Sequence, residues 1–389
     1  MRRLAAIILL VALGLSVACG PGGGAAGGSA PASKPSGAAP ASGSAPTAGS
    51  PAGSAPAASG GAASGAASAS ASNALDAVIA AAANEGVFQF YGPSALSKPD
   101  ADRLMAAFNQ KYGLNIEYQF TQSGSMTRDT ARLITEIGAG QAPTWDLMMM
   151  TDAHYAMLYS NGVLDPVDWV ALGIGPRSVS YDGAAIMAAS TFVAPAYNPN
   201  LVSADQAPKD WGDLADPKWR GKIGVSTATH FWARLAQAWG DERTTRLMEG
   251  IAANQPVLGN LPETYTRVTL GELAIFSSAS DSYWIKARKE GAPLTIVETA
   301  KPIIAQQYDV GLLKGVRHPN QAKLMAVFLV SPEGQALWEE LQGQTSMFVE
   351  GTTANRYAQG KDVVTLDPKF GTDQLDDLTE KYGKMVGFR

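Results

Sequence analysis

One cysteine and three histidines among 389 residues restrict the available chemistry. A lone cysteine rules out any disulfide within the chain. His154, His230 and His318 lack the close spacing of a zinc site. Charge is sparse, at 17% of residues, with no basic run to form the electrostatic footprint of nucleic-acid binding. Enzyme signatures are missing too. There is no G-x-S-x-G elbow, no phosphate-binding G-x-x-x-x-G-K loop and no histidine with an evident triad partner in sequence. A non-catalytic protein without a cofactor is the expectation.

What is present begins with "MRRLAAIILLVALGLSVACG". Arg2 and Arg3 precede an apolar run from Leu4 to Leu15 and then small residues, a secretory signal too short to span a membrane comfortably. "SVAC" resembles the lipobox of bacterial lipoproteins, with Ser16 where leucine is usual, which implies cleavage before Cys19 and a lipid such as palmitate on it. Residues 20–73 are almost wholly Ala, Gly, Ser and Pro, with Lys34 the only charge. Such a segment buries too little apolar surface to offset its ordering entropy, so it reads as a disordered tether reaching about 40 Å. Residues 1–73 hold three of the 30 basic residues and none of the 35 acidic ones, leaving 27 against 35 and a mildly acidic remainder.

From Leu75 onward, helix-period and strand-like segments alternate. "LDAVIAAAANEG", "KPDADRLMAAFNQKYG", "MTRDTARLITEIGAG" and "DAHYAMLYSNG" read as helices, and "VFQFY", "NIEYQF" and "WDLMMM" as the strands between them. That alternation predicts a parallel sheet covered on both faces. A second series runs through the strands "GKIGVS", "LAIFSS" and "APLTIVET", with helices at "HFWARLAQAWG", "ERTTRLMEGIAAN", "ETYTRVTLGE" and "SYWIKARKEG". "STFVAPAYNPNLV" and "AQQYDVGLLKG" suit two crossings between lobes, and "NQAKLMAVFLVSPEGQALWEELQG" a helix pair broken at Pro332. The expected organisation is an α/β protein of two lobes, residues 74–193 with 309–389 as the first and 194–308 as the second.

From Leu75 to about Phe348 the chain resembles the extracellular solute-binding proteins of bacterial ABC importers, in the branch that includes ferric-ion, phosphonate, polyamine and thiamine binders. The segments that carry the resemblance include "FNQKYGLNIEYQFTQSGSM", "WDLMMMTDA", "APKDWGDLADPKWRGKIGVS", "GELAIFSSASDSYWIKARKEGAP" and "SPEGQ" after an apolar helix. The resemblance implies a type II periplasmic-binding fold with ligand between the lobes. It also implies a permease and ATPase complex as partner, a monomeric receptor, and an extracytoplasmic place at the cell envelope, lipid-anchored to the membrane. A sensor that reports ligand to a membrane receptor is the other non-enzymatic reading.

Ligands of open α/β sheets sit beyond the carboxyl ends of the strands. That rule nominates Tyr91 and Ser94 after the first strand, Ser123, Gly124 and Ser125 after the second, and Asp152 after the third. In the second lobe it nominates Thr227, Thr229 and His230, then Asp281 and Tyr283, with Tyr265 and Arg267 on a neighbouring helix and Tyr197 at the crossing. Helix starts at Ser123–Ser125 and Thr227–His230 favour an anionic organic solute or oxyanion, although Ser125, Thr227 and Thr229 equally suit plain N-caps. Arg267 is the one well-placed cation, or else a solvated helix residue. In ferric relatives a tyrosine pair holds the metal; here it aligns with Ser282 and Tyr283, so Tyr283 and Asp152 are the residues left for iron. Asp152 equally suits a cationic amine.

Overall fold

The computed structural model describes residues 73–388. The expected signal, the lipidation site Cys19 and the tether lie outside them. A helix over 73–82, α1, leads into β1 (Phe88–Gly92), α2 (Lys98–Tyr112), β2 (Tyr118–Gln122) and α3 (Met126–Gly138). β1 runs parallel to β2 on one side and to β3 (Leu147–Met148) on the other. α2 shows why these segments are helices. Ser97 accepts from the Asp100 amide, Pro99 sits in the first turn, and Gly113 closes the end at φ 65°. Its buried residues Ala101, Leu104, Met105 and Phe108 fall on one stripe at the helical period.

"WDLMMM" divides in two. β3 pairs with β1, while β4 (Met150–Thr151) pairs antiparallel with a later strand, β12 (Ile303–Leu313). Met148, Met149 and Met150 are all fully buried, as expected where both faces of a sheet are covered. α4 (Asp152–Ser160), β5 (Leu164–Asp165) and β6 (Val179–Ser180) precede the long strand β7 (Ala185–Tyr197).

The second series is β8 (Ile223–Ser226), α5 (His230–Trp239), α6 (Asp241–Ala253), β9 (Val257–Gly259), α7 (Leu261–Thr269), β10 (Ile275–Ser280), α8 (Asp281–Glu290) and β11 (Thr295–Ile296). β8 lies parallel between β9 and β10, and β10 runs antiparallel to β7. The turn before β8 is locked by tryptophan: Trp211 Nε1 donates to the Pro302 carbonyl at 2.8 Å and Trp219 Nε1 to that of Asp213 at 2.9 Å. Trp211 also meets Trp232 of α5 edge to face at 5.6 Å, both rings fully buried. Burying a side chain of that size stabilises by roughly 3 kcal/mol.

The return strand β12 (Ile303–Leu313) pairs antiparallel with β7 along most of its length. The middle of the two strands passes through two apolar cores, with Ala185 and Leu313 in a third cluster and Ala196 in a fourth. Ile186, Ala188 and Ala189 of β7 pack with Val310 and Leu312 of β12, beside α2 and the later helix α9. Phe192, Val193 and Ala194 pack with Ile303, Ile304 and Ala305, beside α5 and α6. The chain therefore changes core at 190–191 on the way out and at 306–309 on the way back.

α9 (Pro319–Leu329) and α10 (Pro332–Gln342) form the expected pair broken at Pro332. Gly334 of "SPEGQ" has a steric reason, since a Cβ there would stand 1.9 Å from the Phe328 carbonyl oxygen. Gln335 then ties the corner, donating to the carbonyls of Leu329 and Ala188 and accepting from the Ser346 amide. The tail comprises α11 (Thr353–Ala358), β13 (Val363–Thr365), α12 (Pro368–Asp373) and α13 (Leu375–Val386). Its last two helices pack on different partners, within the 309–389 stretch expected in the first lobe. α12 lies on α4, but α13 packs against α5 and α6, and Leu375, Tyr382 and Val386 are buried in the second core. Their spacing, with Leu378 between, makes an apolar stripe that seats there. No described helix is long and apolar enough to cross a membrane.

Candidate functional site

Helices begin directly beyond strand ends: α3 after β2, α4 after β4, α5 after β8, α7 after β9 and α8 after β10. Their first turns are satisfied differently. Ser125 caps α3, accepting from the Arg128 amide at 3.4 Å, so its plain reading as an N-cap holds. Asp152 opens α4 and accepts from the Ala153 amide at 2.9 Å. α5 has no side-chain cap, because its N-cap Thr229 is in helical backbone conformation. Thr229 is buried, and Gly383 of α13 passes close to its hydroxyl. Thr227 just ahead of it is exposed, as are Gly124 and Ser94 in the first-series loops.

Asp152 is not a free anion. Arg234 of α5 donates to both its carboxylate oxygens, at 2.7 and 2.8 Å, and the Gln307 amide of β12 donates to Oδ2 at 3.1 Å. Both charged side chains are almost wholly buried. This ion pair joins α4 to α5 at the point where β12 changes core, and it leaves Asp152 no lone pair to spare for an amine or iron. Asp309 of β12 is buried nearby, with Oδ1 lacking a hydrogen-bond partner. Burial first, then the Asp152 charge, pushes its carboxyl well above the usual range.

Several nominated residues are held by internal contacts. Tyr91 is fully buried, its hydroxyl donates to Asp129 at 2.9 Å, and it sits 2.6 Å from the Ser123 hydroxyl. Tyr265 is buried too, donating to Glu290 at 2.8 Å. Arg267 is a solvated helix residue, paired with Glu263 one turn away at 3.0 Å. Tyr197 is half-buried against the second core at the end of β7. Asp281 and Tyr283 take different directions. The Tyr283 ring stacks on Tyr265 at 5.2 Å and near Phe276 at 5.9 Å, whereas Asp281 faces a cavity beside β7.

His230 is half-buried over the Phe231 ring and within 3.4 Å of the Gln306 side-chain oxygen. Burial, then the Arg234 charge, lowers its pKa to about 4, so it is neutral. His154 bonds to Thr151 and His318 to Asp146, so the three histidines are dispersed. Among the described residues no three His, Cys, Asp or Glu side chains gather to hold a metal.

Arg234 and Asp309 are absent from the residues nominated by sequence. Arg234 had a signal: it is the only Lys, Arg, Asp or Glu in "HFWARLAQAW", a helix where Phe231, Trp232, Ala233, Leu235 and Ala236 are all buried. An arginine in such a setting requires an anionic partner. Asp309 had none, since a strand aspartate reads as solvated until its neighbours are known.

The fold has close relatives of known structure. Iron-bound HitA from Pseudomonas aeruginosa superposes with a TM-score of 0.64 at 20% identity, over 77% of this chain and 99% of that one. Trichodesmium IdiA (FutA) in complex with iron and citrate gives 0.64 at 19%, over 78% and 100%. AfuA from Actinobacillus pleuropneumoniae with fructose-6-phosphate bound gives 0.60 at 20%, over 78% and 99%. An uncharacterized protein of Haemophilus influenzae is 29% identical over 196 residues, 46% of this chain and 56% of that one, so the match spans little more than half of that relative. The model of the family described as bacterial extracellular solute-binding protein matches residues 103–363. With two cores threaded by β7 and β12 in a periplasmic-binding fold, the chain belongs to the bacterial extracellular solute-binding protein family.

Proposed function

We propose that the protein is the solute receptor of an ABC importer, held at the cell envelope by a lipid on Cys19, and that it takes up a small anionic solute between two lobes. The observation that carries this reading is the start of α5. It has no side-chain cap, Thr227 is exposed in front of it, and neutral His230 stands in its first turn. Helix amides and the positive dipole end favour a carboxylate, phosphate or phosphonate there. The exposed loops at Ser94 and Gly124 supply the opposing wall. A phosphorylated sugar in the AfuA relative supports the same class. Iron is less well supported because Arg234 occupies both oxygens of Asp152. Closure around the ligand occurs by bending of β7 and β12 where they change core. The function is capture and delivery, with no covalent change in the cargo.

The test is a thermal-shift screen of the mature protein with phosphate, fructose 6-phosphate, methylphosphonate, citrate, ferric citrate and spermidine. A binding oxyanion raises the midpoint by mass action, shrinks the radius of gyration in solution scattering, and loses affinity in Thr227→Val. A response to ferric citrate alone, with a visible tyrosinate band, overturns the anion reading in favour of iron. Saturation by spermidine alone overturns it in favour of amines.

A further inference from the structure

The buried ion pair at the crossing leaves two groups unmatched. Asp152 takes the two terminal nitrogens of Arg234, at 2.8 and 2.7 Å, but Arg234 Nε, equally buried, has no acceptor. Asp309 Oδ1 has no donor, although that residue is only 1% exposed. A spare donor and a spare acceptor thus share one dry cluster, and buried polar atoms left unpaired in a native fold call for an explanation. Burial and then the Asp152 charge push the Asp309 carboxyl up, and the Arg234 charge already reaches far enough to oppose them.

The backbone around the cluster has the features of a pivot. β12 shifts register between Tyr308 and Asp309, an irregularity of the kind that bends a strand and re-aims its side chains. It falls within 306–309, where β12 changes core. Tyr181 fixes the α4 side. Its hydroxyl donates to the Asp152 carbonyl at 2.7 Å, and it and Asp182 sit at φ 51° and 53°, left-handed backbone that residues other than glycine keep only where their surroundings over-determine it.

We infer that Asp309 is the second seat of the Arg234 guanidinium, a positioning residue that receives it when α4 and α5 part, so that the hinge has two discrete states instead of a continuous range. This rests on the closure by bending of β7 and β12 argued above. Displacement in a rotation grows with distance from its axis. Opening therefore carries Asp152 on α4 away from α5, while Asp309, on the bending strand itself, stays within reach of Arg234. A guanidinium drawn off Asp152 with no other carboxylate beside it would be stranded in a dry site, the costly case for a buried pair. Asp309 removes that cost, and its Oδ1 is open to accept. Two alternative pairings of one buried cation make a bistable element.

Distances between paired spin labels in the unliganded mature protein test this. Cys19→Ser removes the one native thiol, and Ala106→Cys and Glu249→Cys place labels on exposed positions of α2 and α6, beside the two different cores. Wild type at Asp152, Arg234 and Asp309 should give two resolved distances. Asp309→Asn, which cannot neutralise the guanidinium, should deplete the longer one at least tenfold, and Asp152→Asn should deplete the shorter one at least tenfold. A merely structural role for Asp309 would change stability and leave both distances in place. A single distance in the wild-type background, which decides the matter even if neither variant folds, or unchanged proportions in either folded variant, overturns the inference. No ligand enters the measurement, so its failure and that of the anion screen are read separately.

Discussion

Arg234 of α5 holds Asp152 of α4 by two hydrogen bonds, 2.7 and 2.8 Å long. Removing one partner strands a charge in a dry site. Arg234→Ala is expected to cost about 3–5 kcal/mol in urea denaturation, whereas the double replacement Asp152→Leu with Arg234→Met should come within about 1 kcal/mol of wild type. If Arg234→Ala costs less than about 1 kcal/mol, water reaches the pair and the site is not dry.

Asp281 sets an alkaline-side slope. Its pKa is raised to about 7 by burial, against the pull of amides from Phe192, Ser282 and its own residue. The ionisable groups facing it are Tyr357, Tyr308 and the exposed Arg288. A carboxyl with a raised folded-state pKa favours the fold below its unfolded value, and that advantage is lost as pH rises through the folded one. The Asp281 contribution should therefore decline between pH 4 and pH 7, so the stability of wild type relative to Asp281→Asn should fall by about 2–4 kcal/mol across that window. Parallel stability–pH curves for the two proteins would contradict this.

His230 works in the opposite direction. Its pKa falls to about 4 in the fold, so below about pH 6 the unfolded chain binds a proton that the native site refuses. The His230 contribution should fall as pH drops from 6.5 towards 4, so His230→Asn should gain stability relative to wild type over that range in the same denaturation series. An acid limb identical in the variant would place the cause elsewhere.

Gly334 tolerates no side chain, because a Cβ there would overlap the Phe328 carbonyl at 1.9 Å. Gly334→Ala should destabilise by about 3 kcal/mol through a forced shift of α9 against α10. A loss under about 0.5 kcal/mol would mean the corner relaxes freely.

The regular elements were legible because their periods are strong. α2, α5, α9 and α10 lie where apolar spacing and caps predict, and Pro332 breaks the helix pair as expected. The crossings were legible as strands but not to the residue, since Phe192 and Ala189 look alike in sequence and differ only in the core they enter. The packing of the tail was not legible because chain order carries no record of where the stripe Leu375, Tyr382 and Val386 would seat. Among site residues, Arg267 and Ser125 kept their plain alternatives. Tyr91 misled because an aromatic at a strand end looks the same whether its hydroxyl meets ligand or, as here, Asp129. Asp152 was found without its partner, since the two residues are 82 positions apart.

The seating of α13 bears on how the protein can be dissected. A fragment trimmed to the family-matched stretch, ending at residue 363, would discard both α12 and α13. It would leave the flanks of α4 and α5 that they respectively shelter bare to water, a sticky surface rather than a minimal receptor. Domain-swapped chimeras and shortened biosensors built on this scaffold should keep their final two helices, or replace them with a cover of equal greasiness.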